Sequence, residues 1–168
     1  ASAGVRSRRS SPRGRGGGRI CWRPMGRGDC GARYRSRPQR HEDGQPLGTG
    51  LSLTVPQPFR AQAPRGTVVL LHGWMMNGDS MLPWSLQLAE SGYRVVTLDL
   101  RNHGQSGHGP SGYGTYESDD VVDVIGELRA RGEVTGPLYL FGVSYGAATA
   151  VFTADKLGDQ VAGVVAME

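Results

Sequence analysis

Three short, nearly continuous apolar runs dominate the sequence: Thr67-Val68-Val69-Leu70-Leu71, Arg94-Val95-Val96-Thr97-Leu98 and Leu138-Tyr139-Leu140-Phe141. Runs of this length without period-two alternation describe strands covered on both faces, which a parallel sheet flanked by helices provides. Segments of helical character separate them. One starts near Asp79-Ser80, carries Met81, Trp84 and Leu88 inward and stops at Gly92. A second follows the polar, Gly-rich loop from Asp99 to Gly114 and turns Val121, Val124, Ile125 and Leu128 inward. Thr115 or Ser118 caps it, with Glu117, Asp119 and Asp120 near its positive end. A third helix runs from Tyr145 to Leu157, and Val161 to Ala166 reads as a fourth strand of the sheet. Leu51 to Val55 alternates at period two, as an edge strand does, and Pro56 and Pro58 stop it. The expected fold class is α/β, a mostly parallel sheet with crossover helices.

The remaining sequence has a different character. The formal net charge of +4 is +9 over residues 1 to 46, with 12 Arg against 3 acids, and −5 over residues 47 to 168. Arg, Gly and Pro supply 25 of the first 46 positions, too little apolar surface to offset the entropy of ordering, so a disordered tail is expected there. Basic charge is thus a property of the tail and gives no reason to expect a nucleic-acid-binding domain. Cys21 and Cys30 have no Cys or His neighbours at zinc-ligand spacing, which excludes a disulfide scaffold or zinc module. Of Leu, Ile, Val and Phe, the first 46 residues hold only Val5 and Ile20, so no apolar signal-peptide core is read. The uncharged stretch from Val134 to Ala154 is long enough to cross a bilayer, but Gly136-Pro137, Gly142, Ser144 and Gly146 divide it into strand, turn and helix. A soluble cytoplasmic protein with no membrane partner is expected.

Gly142-Val143-Ser144-Tyr145-Gly146 fits G-x-S-x-G, and its position between an apolar strand and a small-residue helix is the context of a nucleophile elbow. In that turn the serine stands in strained backbone, and the glycines let neighbouring segments approach without Cβ clashes. Its hydroxyl then sits at a helix N-terminus, beside free backbone N–H groups.

Three ordered motifs together resemble the α/β-hydrolase family, in its esterase- and serine-aminopeptidase-like subgroup, from about Thr67 to Met167. They are His72-Gly73 after a buried strand, Asp99-Leu100-Arg101-Asn102-His103-Gly104-Gln105-Ser106 after the next, and the serine turn. The second is similar to the family's D-x-R-G-x-G-x-S loop, with Asn102 in place of the first glycine. The resemblance implies a serine hydrolase of carboxylesterase or peptidase type, acting on a small-molecule ester, thioester or amide. Ser144 is then the nucleophile that forms an acyl-enzyme, and the backbone N–H groups of Trp74 and Tyr145 form the oxyanion hole. His72 is expected to brace the oxyanion loop, His103 and His108 to be structural or solvent-facing, and Asp99 to organise its loop. No metal or organic cofactor is implied.

In this family the triad acid and histidine follow the serine along the chain. After Ser144 the sequence has no His, and its only acids are Asp155, Asp159 and Glu168. Residues 47 to 168 are therefore expected to be the N-terminal portion of a hydrolase domain, ending after the family's sixth strand. Without a base the serine hydroxyl stays protonated, so such a portion should be nearly inactive. The second reading is a non-catalytic α/β-hydrolase-like module whose basic tail binds anions or nucleic acid.

Overall fold

The structure, a computed structural model, describes residues 63–168 throughout. Before them it describes only the backbone of five short strands: β1 (Cys21–Met25), β2 (Arg33–Arg35), β3 (Gln39–Arg40), β4 (Pro46–Leu47) and β5 (Ser52–Thr54). The apolar runs form β6 (Thr67–Leu71), β7 (Arg94–Asp99) and β8 (Leu138–Val143), followed by β9 (Gly163–Met167). These four are mutually parallel, in the order β7-β6-β8-β9. Val69 lies in register with both Val96 and Leu140.

The helices are α1 (Leu82–Glu90), α2 (Thr115–Ala130) and α3 (Tyr145–Leu157). Alternation along the strands sorts their side chains between two cores. Val69, Leu71, Val96, Leu98 and Leu140 pack with Val121, Val124, Ile125 and Leu128 of α2 and Ala150 and Leu157 of α3. Val68, Leu70, Val95 and Phe141 face the other way, toward Met81 and Leu88. Both faces of the sheet are covered, which is why its strands are apolar without a break.

The first helix differs from expectation. A 3-10 turn over Gly78–Met81, capped by the Asn77 carboxamide, precedes α1. Met81 is buried in that turn, but Trp84 is 36% exposed and tilts against Phe141 at the rim. Ser85 takes the fully buried position and donates its hydroxyl to the Met81 carbonyl at 2.9 Å. At helical spacing Met81 and Ser85 share one face, and the larger indole is left at its edge.

Within residues 1–46 the structure describes β1 paired antiparallel with β7, Cys21 opposite Asp99 and Met25 opposite Val95. Strand addition uses main-chain donors and acceptors of an open sheet edge and needs no apolar side-chain pattern, which hides it from composition. β5 pairs with β2, and β3 with β4, in two-stranded ribbons. The rest of residues 1–62 lies outside the described residues. Among the described residues no helix is long and apolar enough to cross a membrane.

Candidate active site

Ser144 is the single residue between β8 and α3, with φ 50° and ψ −114°. A non-glycine residue in this region carries roughly 1–3 kcal/mol of strain, which persists only where surrounding structure fixes it. Here Ser144 N donates to the Met167 carbonyl at 2.6 Å, and the Ser144 carbonyl accepts from Ala147 N at 2.8 Å. The flanking glycines are dictated by close backbone approach. A Cβ on Gly142 would lie 2.1 Å from the Gly146 carbonyl oxygen, and one on Gly146 would lie 2.2 Å from that of Leu71. The loop after β6 passes beside the same turn, since a Cβ on Gly73 would stand 3.8 Å from Ser144 Cβ.

Two buried histidines support that loop. His72 donates Nδ1–H to the Gly73 carbonyl at 2.8 Å and accepts the Leu100 N–H on Nε2 at 3.0 Å. Both ring nitrogens are used by a neutral imidazole, and burial pushes its pKa below the ordinary histidine value. His103 repeats the arrangement, with Nδ1 on the Arg101 carbonyl at 2.8 Å and Nε2 accepting the Met75 N–H at 3.2 Å. The two rings meet edge to face at 5.1 Å. His72 is the brace its position suggested, His103 is a second one, and His108 is exposed.

Asp99 organises its loop. Its carboxylate accepts from Gly78 N at 2.7 Å and Gln105 N at 2.9 Å, and its carbonyl accepts the Ser106 hydroxyl at 2.6 Å. Arg101 donates Nε to Asp120 at 2.6 Å and reaches the carbonyls of Pro110 and Tyr116, fastening the loop to α2. Asn102 stands at φ 66°, a conformation that Gly or Asn adopts most readily. Its carboxamide exchanges hydrogen bonds with both backbone groups of Gly109, each at 2.9 Å. The substitution of Asn for the motif's glycine thus keeps the backbone and adds a tie.

Above these loops lies an aromatic group. Trp74 meets His103 and Tyr145 edge to face, each at 5.1 Å, and stacks on Tyr113 at 6.0 Å with 17° between planes. Tyr145 is buried, and its hydroxyl makes no hydrogen bond of good geometry, although it neighbours the Glu117 carboxylate. Burial and that carboxylate hold the phenol well above its ordinary pKa. The backbone N–H groups of Trp74 and Tyr145 donate to no described residue.

The sequence model of the α/β-hydrolase fold matches residues 66–168. The chain belongs to the α/β-hydrolase family. The protein YqkD of Bacillus subtilis (strain 168) is 35% identical over 88 residues, 52% of this chain and 29% of its own length. Non-heme chloroperoxidase CPO-A1 of Kitasatospora aureofaciens is 36% identical over 66 residues, 38% of this chain and 24% of its own. An esterase from Exiguobacterium antarcticum superposes with a TM-score of 0.60 at 22% identity, over 92% of this chain and 42% of the esterase, a likeness of fold. The chain therefore spans about a third or less of the length of these curated relatives.

Within this α/β-hydrolase scaffold, Ser144, Trp74 and Tyr145 come together where β6, β8 and α3 converge. Asp155 and Asp159 do not join them. Asp155 is at the far end of α3, about 16 Å along the axis from Ser144 at 1.5 Å per residue, and Asp159 lies in the turn beyond. Tyr113 and Glu117 are residues that sequence reasoning left out of the site. The signal for Glu117 was available, since a Glu three residues into a helix reaches back to the backbone before it.

Proposed function

We propose that the protein is a serine hydrolase that cleaves a small-molecule ester, thioester or amide through an acyl-enzyme on Ser144. The observation that carries this reading is the left-handed Ser144 at the junction of β8 and α3, with the backbone N–H groups of Trp74 and Tyr145 unengaged nearby. Ser144 Oγ attacks the carbonyl carbon while its proton passes to a general base, and the carbonyl oxygen becomes an oxyanion. Collapse expels the leaving group, which takes up the proton, and water then hydrolyses the acyl ester. Donors in such positions each contribute about 10²–10³ in rate.

Neither buried histidine is free to act as that base. His72 and His103 have both ring nitrogens engaged with backbone, so neither can take the Ser144 proton without releasing a loop. The family places its acid and histidine after the serine.

Fluorophosphonate labelling of the polypeptide as its source cell makes it tests the reading. Labelling that maps to Ser144 and is lost in Ser144→Ala is expected. Absence of labelling in the unsubstituted protein would overturn it.

A further inference from the structure

The Glu117 side chain is fully buried, yet it is charged. Its carboxylate accepts from Gly114 N at 2.7 Å, which is ordinary capping of α2. Capping does not account for its other oxygen, which accepts from Gly112 N at 3.1 Å, two residues before the helix cap. The two gripped N–H groups flank Tyr113. That residue has φ 49°, a conformation strained for any side chain with a Cβ, and it is 72% exposed. The ring is stacked on Trp74, which is itself 47% exposed. From below, the loop is seated on α3: a Cβ on Gly114 would fall 3.0 Å from the Ala148 backbone. An anchored, strained backbone is thus spent on presenting two apolar rings to solvent beside Ser144.

We propose that Glu117 is a positioning residue whose carboxylate, by bridging Gly112 N and Gly114 N, holds Tyr113 against Trp74. The exposed Trp74–Tyr113 pair is then a platform for a flat, apolar group of the substrate, such as an aryl or conjugated ester. This deepens, and rests on, the assignment of Ser144 as nucleophile. Trp74 is fixed by His103 and Tyr145 on its edges, so a ligand ring finds a preorganised surface. Glu117→Gln retains the shape but presents one acceptor oxygen and one donor amide to two N–H groups, so one grip is lost.

Equilibrium binding of 2-naphthol to the full chain, followed by calorimetry, tests this without any acyl transfer. Tyr113→Ala should weaken binding about tenfold, the scale of one lost aromatic contact with its burial. Glu117→Gln should weaken it severalfold, and Glu117→Gln added to Tyr113→Ala should weaken it no further. That non-additivity is the mark of one residue acting through the other. Additive losses, binding indifferent to Tyr113→Ala, or no binding of 2-naphthol would overturn the platform. Binding by a chain that fluorophosphonate does not label would leave the platform standing and sink only the nucleophile. Labelling by a small ethyl fluorophosphonate without 2-naphthol binding would do the reverse.

Discussion

The imidazole of His72 accepts the backbone N–H of Leu100 at 3.0 Å, so one neutral ring ties the loop after β6 to the loop after β7. A proton on Nε2 would turn that acceptor into a donor facing a donor.

A pH dependence of stability follows. Burial, the largest influence, lowers the His72 pKa below 6.5, and His103 nearby acts in the same direction. A lowered folded-state value means that the unfolded chain takes up a proton the folded chain refuses. The stabilisation is therefore complete above about pH 6.5 and declines as pH falls from there toward the folded-state pKa. Urea unfolding between pH 8 and 5 measures it, and a flat profile across that interval would count against the neutral brace.

A second decline belongs to Glu117. Burial opposes its charge, but the Tyr145 hydroxyl and the N–H groups of Gly112 and Gly114 outweigh it, leaving its pKa below 4.5. Stability from this group is present above about pH 4.5 and lost as pH falls through its folded-state value. Glu117→Gln should flatten that lower limb of the unfolding curve and leave the His72 limb in place.

Two glycines make opposite predictions for one substitution. Gly126 is exposed in the interior of α2 with nothing within 4 Å of where a Cβ would stand, so Gly126→Ala should stabilise by about 0.5–1 kcal/mol. Gly146→Ala would place a Cβ 2.2 Å from a carbonyl oxygen and should destabilise by about 3 kcal/mol or prevent folding. Thermal melts of the two variants decide, and equal effects would contradict the geometry.

Asn102→Gly should cost less than Asn102→Ala. Both lose the carboxamide bonds to Gly109, but only alanine must hold φ 66° with a Cβ, for roughly 1 kcal/mol more. Chemical denaturation of the pair gives the difference directly.

Asp120→Asn should destabilise by about 3 kcal/mol, because it removes the charged partner of an Arg101 side chain that is 9% exposed. Arg101 keeps the carbonyls of Pro110 and Tyr116, which places the effect at the lower end for a broken buried pair. Burial, with Glu117 and Asp123 nearby, raises the Asp120 pKa despite Arg101, while the Asp120 carboxylate helps raise that of Arg101. A loss within a few tenths of a kcal/mol of zero would show that the loop holds without this tie.

What was legible in the sequence was whatever side-chain burial writes into it. β6, β7 and β8 were readable because strands covered on both faces must be apolar throughout, and Gly142 and Gly146 because only glycine fits two backbones at such range. β1 was not, because main-chain pairing needs no apolar pattern and Arg23 and Pro24 give no strand signal. Helical spacing alone turns Trp84 inward, but the 3-10 turn before α1 changes which face is buried, and no sequence pattern marks that turn. The contact of Glu117 with Gly114 follows a capping pattern, but its second grip, on Gly112, and so its hold on Tyr113, has no sequence signal.

The close approaches at the Ser144 turn also limit how the chain can change by mutation. The atoms that exclude a Cβ from positions 142 and 146 are the carbonyl oxygens of Gly146 and Leu71, and every amino acid at those positions carries the same oxygen. No second-site substitution at residue 71 can make room, so a genetic screen for suppressors of Gly146→Ala should return only true revertants there. Val143 packs against an apolar side-chain cluster and the Tyr145 ring against those of Trp74 and Tyr113, neighbours that substitution can change.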